Sequence, residues 1–301
     1  MNIDSYLKGK EISKISVGQS GADVYIIDGD YILKHVKREN LEGDLFDTYS
    51  REARFYKERS SCCDYIPEII DLKLTENEII LLMRRYDTPN RTSVDDILIQ
   101  KIAGLLAKIH TDRLPSFIDP AKDKAVPLTK KEINDCIDGW KSVLDEHPSE
   151  FELTPLTEIA DHLNDLIMWH DTEERVMVHG DFHFDNLLTD KNGNILICDW
   201  QGLRSGQASD DLSFFMSRLE ADGIIIDPLK FISLYVSEIK RIKGSSPDPS
   251  DILRHLKAAN VITTFLYWHF FLHGNPSERV RQVYEKMIAD MSESLTPQEQ
   301  S

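Results

Sequence analysis

Hydrophobic positions along this chain keep two different periods, and the change between them divides it. Between residues 11 and 83 they come in short runs: Glu11 to Val17 alternates weakly, Asp23 to Ile27 follows a glycine-containing turn, and Asp30 to Val36 (DYILKHV) is another β-type run. Asp28-Gly29 between the last two predicts a hairpin, because a type I′ turn needs positive φ at both central residues. Leu45 to Ser60 carries Tyr49, Ala53 and Tyr56 at helical spacing. Tyr65-Ile66-Pro67 closes that stretch, and Ile69 to Leu74 with Glu78 to Met83 predicts a second hairpin. From Asp95 onward the helical period takes over. Val94 to His110 carries a stripe through Ile97, Ile102, Leu105, Leu106 and Ile109, and Thr129 to Glu146 and Leu156 to His170 come next. One strand–loop–hairpin unit interrupts them: Arg175 to Val178, the loop HGDFHFDN, Leu187-Leu188, a turn at Asp190 to Asn194, and Ile195 to Cys198. Leu212 to Ser294 is expected to be helical apart from Gly244 to Ser250, and the tail after Leu295 to fray. The pattern holds no internal repeat.

The longest apolar stretch, Val261 to Leu272, contains Thr263, Thr264 and His269 and falls short of the ~18–20 residues that span a bilayer. It reads as a buried helix, with Trp268-His269-Phe270-Phe271 as core packing. The first ten residues, MNIDSYLKGK, lack the apolar region of a secretory leader.

Composition narrows the function classes. With 301 residues, 41% of them hydrophobic, the chain can build two ordinary lobes or one large domain. A formal net charge of −17 repels nucleic-acid phosphates and anionic membranes, and it can concentrate a cationic substrate. Cys62, Cys63, Cys136 and Cys198 show neither metal spacing nor an extracellular framework, so reduced thiols in the cytoplasm are expected.

The candidate chemistry lies in the interrupting unit. Phosphoryl transfer needs a carboxylate to orient the attacking hydroxyl, a divalent metal to neutralise phosphate oxygens, and fixed register between them. Asp181 and Asn186, five residues apart on a loop after a strand, can face one pocket. Asp199 ends the apolar run Ile195 to Cys198, which suits a carboxylate held rigidly toward Mg²⁺. An alternative is a metal pair at His179-x-Asp181-x-His183, but His110, His162, His170, His255, His269 and His273 offer no second clustered motif. His183 reads as a loop residue near the active site without a ligating task.

The segment VMVHGDFHFDNLLTDKNGNILICDWQG resembles the aminoglycoside phosphotransferase and choline kinase superfamily, whose members share a protein-kinase-like fold. That resemblance implies a bilobal α+β architecture, with an antiparallel-sheet nucleotide lobe over residues 1–86 and a mainly helical catalytic and acceptor lobe over 87–301. It makes Asp181 the catalytic base, gives Asn186 and Asp199 to Mg²⁺, and has His179 support the loop. It places Asp211 in a helix start with a structural task. A kinase also requires a strand lysine for the α/β-phosphates of ATP and a helix glutamate to orient it. Lys34, on the face of Ile32 and Val36, and Glu52 in YSREARFYKE meet that demand. Between two strands, VGQSGADVY is neither a Walker A loop nor GxGxxG, yet it resembles the short turn of aminoglycoside kinases, with Ser20 and Gly21 at the phosphates. Similarly, IILLMRRYD resembles the strand into the interlobe hinge, where backbone groups of Arg84 and Tyr86 would meet adenine and Ile32 and Met83 would line its pocket. The implied acceptor is a small cationic molecule. An aminoglycoside or related antibiotic comes first; choline, ethanolamine, a sugar or another metabolite is the alternative. In such kinases carboxylates like those of Asp171 to Glu174, Glu220 and Asp222 hold substrate ammonium groups. A monomer without nucleic-acid or membrane partners is expected. A metal-dependent hydrolase and a non-catalytic nucleotide-binding module remain the competing classes.

Overall fold

The computed structural model describes residues 3–15, 21–148 and 150–295. It divides into two compact units, Met1–Asp119 with Met177–Arg204, and Pro120–Val176 with Ser205–Ser301. The 86/87 boundary expected from the sequence is a division by role, nucleotide from acceptor; by packing, residues 87–119 and 177–204 go with the N-terminal sheet.

In the first unit, β1 (Ile12–Ile15), β2 (Asp23–Ile27), β3 (Tyr31–Lys37), β4 (Ile69–Leu74) and β5 (Glu78–Arg84) form an antiparallel sheet in the order β1-β2-β3-β5-β4. The β2–β3 turn has Asp28 at φ 53 and Gly29 at φ 76, as its dipeptide requires. Each face of the sheet is covered. The short helix α1 (Asp4–Leu7) lies near Ile27, Leu33 and Ile80, which pack against Ile3, Tyr6 and Leu7. On the other face, α2 (Leu45–Arg59) sets Phe46, Tyr49 and Ala53 against Val36 and Ile79. At the end of α2, Arg59 is 1% exposed; its guanidinium reaches the Asp112 carboxylate and the Arg113 carbonyl just beyond α3 (Asp96–Thr111). Asp95 caps α3 by accepting the Leu98 N–H.

The second unit is helical: α4 (Lys130–Leu144), α5 (Thr154–His170), α6 (Ala208–Ala221), α7 (Pro228–Lys243), α8 (Pro249–Thr263), α9 (His269–Leu272) and α10 (Ser277–Leu295). Trp140, Leu156, Leu163, Ala258, Phe265 and Met287 are among its core residues. Between α8 and α9 the chain makes a π-helical turn at Thr264–Trp268, and the Trp140 indole N–H donates to the Phe265 carbonyl at 3.0 Å. This turn corrects one expectation. Each residue accommodated by a π-turn rotates the next stretch of helix by about a quarter of a turn relative to an unbroken α-helix. His269 and Leu272 stay buried, whereas Phe270 and Phe271 are 68% and 74% exposed rather than packed in the core.

The connecting strand β6 (Arg175–Val178) carries the chain from the helical unit into the first, β7 (Leu187–Thr189) and β8 (Ile195–Ile197) form the expected hairpin there, and β9 (Arg204–Gln207) carries it back. All four cysteines are free thiols. Among the described residues no helix is long and apolar enough to cross a membrane.

Candidate active site

The candidate site is assembled entirely within the first unit. On β3, Leu33 and His35 are buried on one face, which directs Lys34 to the other. Its ammonium lies 2.8 Å from Glu52 Oε2, 3.3 Å from Asp199 Oδ1 and 4.8 Å from the centre of the Tyr49 ring. Burial pushes the Lys34 pKa down, but the carboxylates of Glu52 and Asp199 more than offset this and raise it above the usual lysine value. Glu52, 3% exposed, comes from the α2 face that covers the sheet, and also accepts the Trp200 backbone N–H. A buried cation and anion therefore satisfy each other, with Asp199 as a second partner of the cation.

Asp199 stands where β8 ends, in the left-handed region at φ 66, and a 3₁₀ turn over Trp200–Gly202 comes directly after it. Trp200 fixes that turn: it is fully buried, stacks on Phe55 of α2 at 4.0 Å and meets the His179 ring edge-on at 4.7 Å. Next to it, Gln201 donates from its side-chain amide to Asp199 Oδ1 and stands 3.5 Å from the Thr48 hydroxyl on α2. Both contacts of the Asp199 carboxylate fall on Oδ1; among the described residues Oδ2 carries none.

The loop after β6 is held from behind by His179, whose imidazole is buried. Its Nε2 lies 3.0 Å from the Cys198 carbonyl, which only accepts, and its Nδ1 receives the Asp181 N–H at 3.3 Å. The pair of bonds sets the neutral tautomer with the proton on Nε2. Gly180, at φ +79, is pressed so close to Gly202 that a Cβ would overlap the Gly202 carbonyl; conversely, a Cβ on Gly202 would come within 2.9 Å of the Gly180 carbonyl carbon and the His179 carbonyl. Two glycines thus let the loop and the turn after Asp199 touch backbone to backbone.

Asn186 joins the two segments. Its amide nitrogen lies 2.9 Å from the Asp181 carbonyl, 3.3 Å from Asp181 Oδ2 and 3.1 Å from His183 Nε2, which turns the amide oxygen away from them. Its own carbonyl accepts the Cys198 N–H at 3.0 Å. Because Leu187 pairs with Ile197, Asn186 and Asp199 leave neighbouring strands on either side of that register. Asp181 is 46% exposed at its side chain. Burial pushes its carboxyl up, but the His183 imidazole, the nearby His179 ring and the hydrogen bond from the Asn186 amide together bring it below the usual aspartate value. Beside it, burial pushes the Cys198 thiol up to about 12, so it stays neutral.

A family model for the phosphotransferase enzyme family matches residues 11–226, spanning this whole constellation. The chain belongs to that family. The structure of this phosphotransferase is similar to the ADP-bound aminoglycoside phosphotransferase APH(2'')-Ib, at TM-score 0.57 and 14% identity over 98% of this chain and 97% of that one. It is similar to choline kinase from Cryptosporidium parvum, at TM-score 0.58 and 14% identity over 97% and 90% of the two chains. The ethanolamine kinase of Plasmodium vivax gives TM-score 0.58 and 12% identity over 97% and 84%. At these identities the likeness establishes the kinase-like α+β fold. Among curated proteins no sequence matches.

The phosphotransferase thus brings together Lys34, Glu52, Asp181, Asn186 and Asp199 through a continuous set of contacts. Of the other expected residues, Ile32 and Met83 are cross-strand partners in β3 and β5. Arg84 and Tyr86 line an open polar recess of about 740 Å³ that also takes in Asp30, Glu68 and Lys191. The Arg84 N–H there is already donated to the Glu68 carbonyl. Gly21 lies against Leu41, and Ser20 falls outside the described residues. His183, expected on the loop near the site, stands 3.5 Å from Asp181 Oδ2. Sequence reasoning missed two participants, Tyr49 and Gln201, which flank Lys34 and Asp199. Only Gln201 carried a signal, since it adjoins Trp200 directly after the aspartate.

Proposed function

We propose that this phosphotransferase moves the γ-phosphoryl of MgATP to a hydroxyl of a small cationic molecule, with an aminoglycoside or related antibiotic as first choice. The observation that carries the reading is the single connected set Lys34–Glu52–Asp199–Asn186–Asp181, in which one cation, one ionised base and two oxygen donors occupy adjoining segments. Lys34, kept charged by Glu52, steadies the nucleotide phosphates together with Ser20 and Gly21, and backbone groups of Arg84 and Tyr86 meet the adenine, with Ile32 and Met83 beside it. The donor set fits a hard divalent cation: the Asn186 amide oxygen is turned away from its nitrogen's three partners, and Asp199 keeps Oδ2 for ligation. Mg²⁺ bound there would neutralise charge on the phosphoryl oxygens. Asp181 orients the acceptor hydroxyl and accepts its proton, and its lowered pKa keeps it ionised at neutral pH.

Support for a cationic acceptor is twofold. The net charge is −17, and aminoglycosides, choline and ethanolamine, named in the similar structures, all combine a hydroxyl with a positively charged nitrogen. We place the protein in the cytoplasm as a monomer. The reading is tested by ADP release across a panel of aminoglycosides, choline, ethanolamine and sugars. Release should require Mg²⁺ and one amine-bearing acceptor class. Stabilisation by ATP with no turnover on any acceptor would instead favour a non-catalytic nucleotide-binding module, and phosphate-ester hydrolysis without ATP would favour a hydrolase.

A further inference from the structure

In the helical unit, the end of α5, the segment after it, the start of α6 and the middle of α8 bring together His170, Glu173, Ser209, Asp210 and His255. His170 is 7% exposed, His255 9%, and the Glu173 side chain 8%. Spacing along the chain gave no hint of this, since the two histidines belong to different helices. One His170 nitrogen, Nε2, lies 2.9 Å from Asp210 Oδ1. A carboxylate only accepts, so Nε2 carries the proton and Nδ1 keeps its lone pair. That Nδ1 is buried without a hydrogen-bond partner, and so is Nδ1 of His255, which stays 3.9 Å from Glu173 Oε2. Glu173 takes the Ser209 hydroxyl on Oε2 and the Ser209 N–H on Oε1, with no cation in direct contact among the described residues. Orphaned buried lone pairs are unfavourable, and two of them converging on a buried carboxylate is uncommon in a packed interior.

We propose that His170, Glu173 and His255 form a binding site for one zinc-type divalent transition-metal ion. The three ligand atoms all lie within 4.8 Å of one another. Shifts of about an ångström bring them to the ~2.0–2.2 Å of zinc–nitrogen and zinc–oxygen bonds, with water in the fourth position. Two imidazoles and one carboxylate suit zinc or a neighbouring first-row ion, whereas Mg²⁺ and Ca²⁺ take oxygen donors. The surroundings resemble those of a built metal site. Asp210 orients His170 as the outer carboxylate of a carboxylate–histidine–metal triad, and Trp169 stacks flat on His255 at 4.2 Å, fixing its ring. Burial above all, with smaller contributions from the neighbouring His170 and Arg254, pushes His255 down to about 4, leaving it neutral and able to ligate at neutral pH. Burial without a cation pushes Glu173 up to about 7, which a bound dication would reverse. Such an ion would pin α5 to α6 and α8.

The test is titration of the chelator-stripped full chain with ZnCl₂, and separately with CoCl₂, in excess Mg²⁺. We expect one ion per chain, a visible absorption band of four-coordinate cobalt, and a melting temperature raised by about 5 °C at a hundredfold excess over Kd. His170→Gln and His255→Gln should each lose at least ten-fold in affinity, and Asp210→Asn about ten-fold through the orientation of His170. Asp199→Asn should leave zinc binding unchanged. Failure of the wild-type chain to bind one equivalent overturns the proposal, as does affinity retained in both histidine variants. Should those variants not fold, Glu173→Gln, which preserves size and the bond from the Ser209 hydroxyl, decides in their place by losing or keeping the cobalt band.

Discussion

Lys34, Glu52 and Asp199 in the first unit, and His170, Glu173 and His255 in the second, each bring three ionisable groups together, and all of them but the partly exposed Asp199 lie largely out of water. The first set balances itself: the ammonium has two carboxylates within 3.3 Å, and Glu52 also accepts the Trp200 N–H. In the second set, among the described residues, two lone pairs have no donor and Glu173 has no cation in direct contact. A closed set stores its stability in its own members, so removing one strands another. An open set has little to lose when a member is neutralised, and much to gain from a ligand.

That contrast can be broken by mutation, beginning where the effect should be greatest. Lys34→Met leaves the Glu52 carboxylate buried without its cation, and should lower the unfolding free energy by about 3–5 kcal/mol in denaturant titration. Adding Glu52→Gln should restore most of that stability while phosphoryl transfer stays low; a double variant as unstable as the single one would refute the closed-set account. Asp199→Asn should reduce kcat by about 10²–10³-fold, with the melting temperature nearly unchanged. Gly202→Ala pushes a methyl group against Gly180 and the His179 carbonyl, and should cost about 1–3 kcal/mol in the same titration. Smallest of all, Glu173→Gln in metal-free protein should change stability by less than about 1 kcal/mol, since the amide still accepts from Ser209. A loss like that of Lys34→Met would show that Glu173 is already charge-paired.

The same two regions show what was legible in the chain. The Asp28-Gly29 hairpin and the β7–β8 hairpin could be read because local turn chemistry decides them. Asp181, Asn186 and Asp199 could be found because one loop and one hairpin hold them at short spacing. Lys34 and Glu52 are singled out by what the kinase resemblance demands, with periodicity supplying the strand face and the helix that carry them. Beyond that range, pattern reading failed for physical reasons. Nothing in the pattern singles out Arg59, yet the loop after α3 wraps it with acceptors. Phe270 and Phe271 look buried by composition, but the π-turn at Thr264–Trp268 swings them outward. His170 and His255 meet only because α5 and α8 pack side by side, and no spacing along the chain encodes that contact.

The proposed mechanism turns on Asp181 as the residue that presents the acceptor hydroxyl. It is tested most directly by tracing label from the terminal phosphoryl of ATP into the acceptor, under single-turnover conditions, in wild type and Asp181→Asn. The wild-type chain should transfer label only with Mg²⁺ present. The variant should slow transfer by about 10²–10⁴-fold while ATP still raises its melting temperature. Transfer by Asp181→Asn within tenfold of wild type would contradict this mechanism.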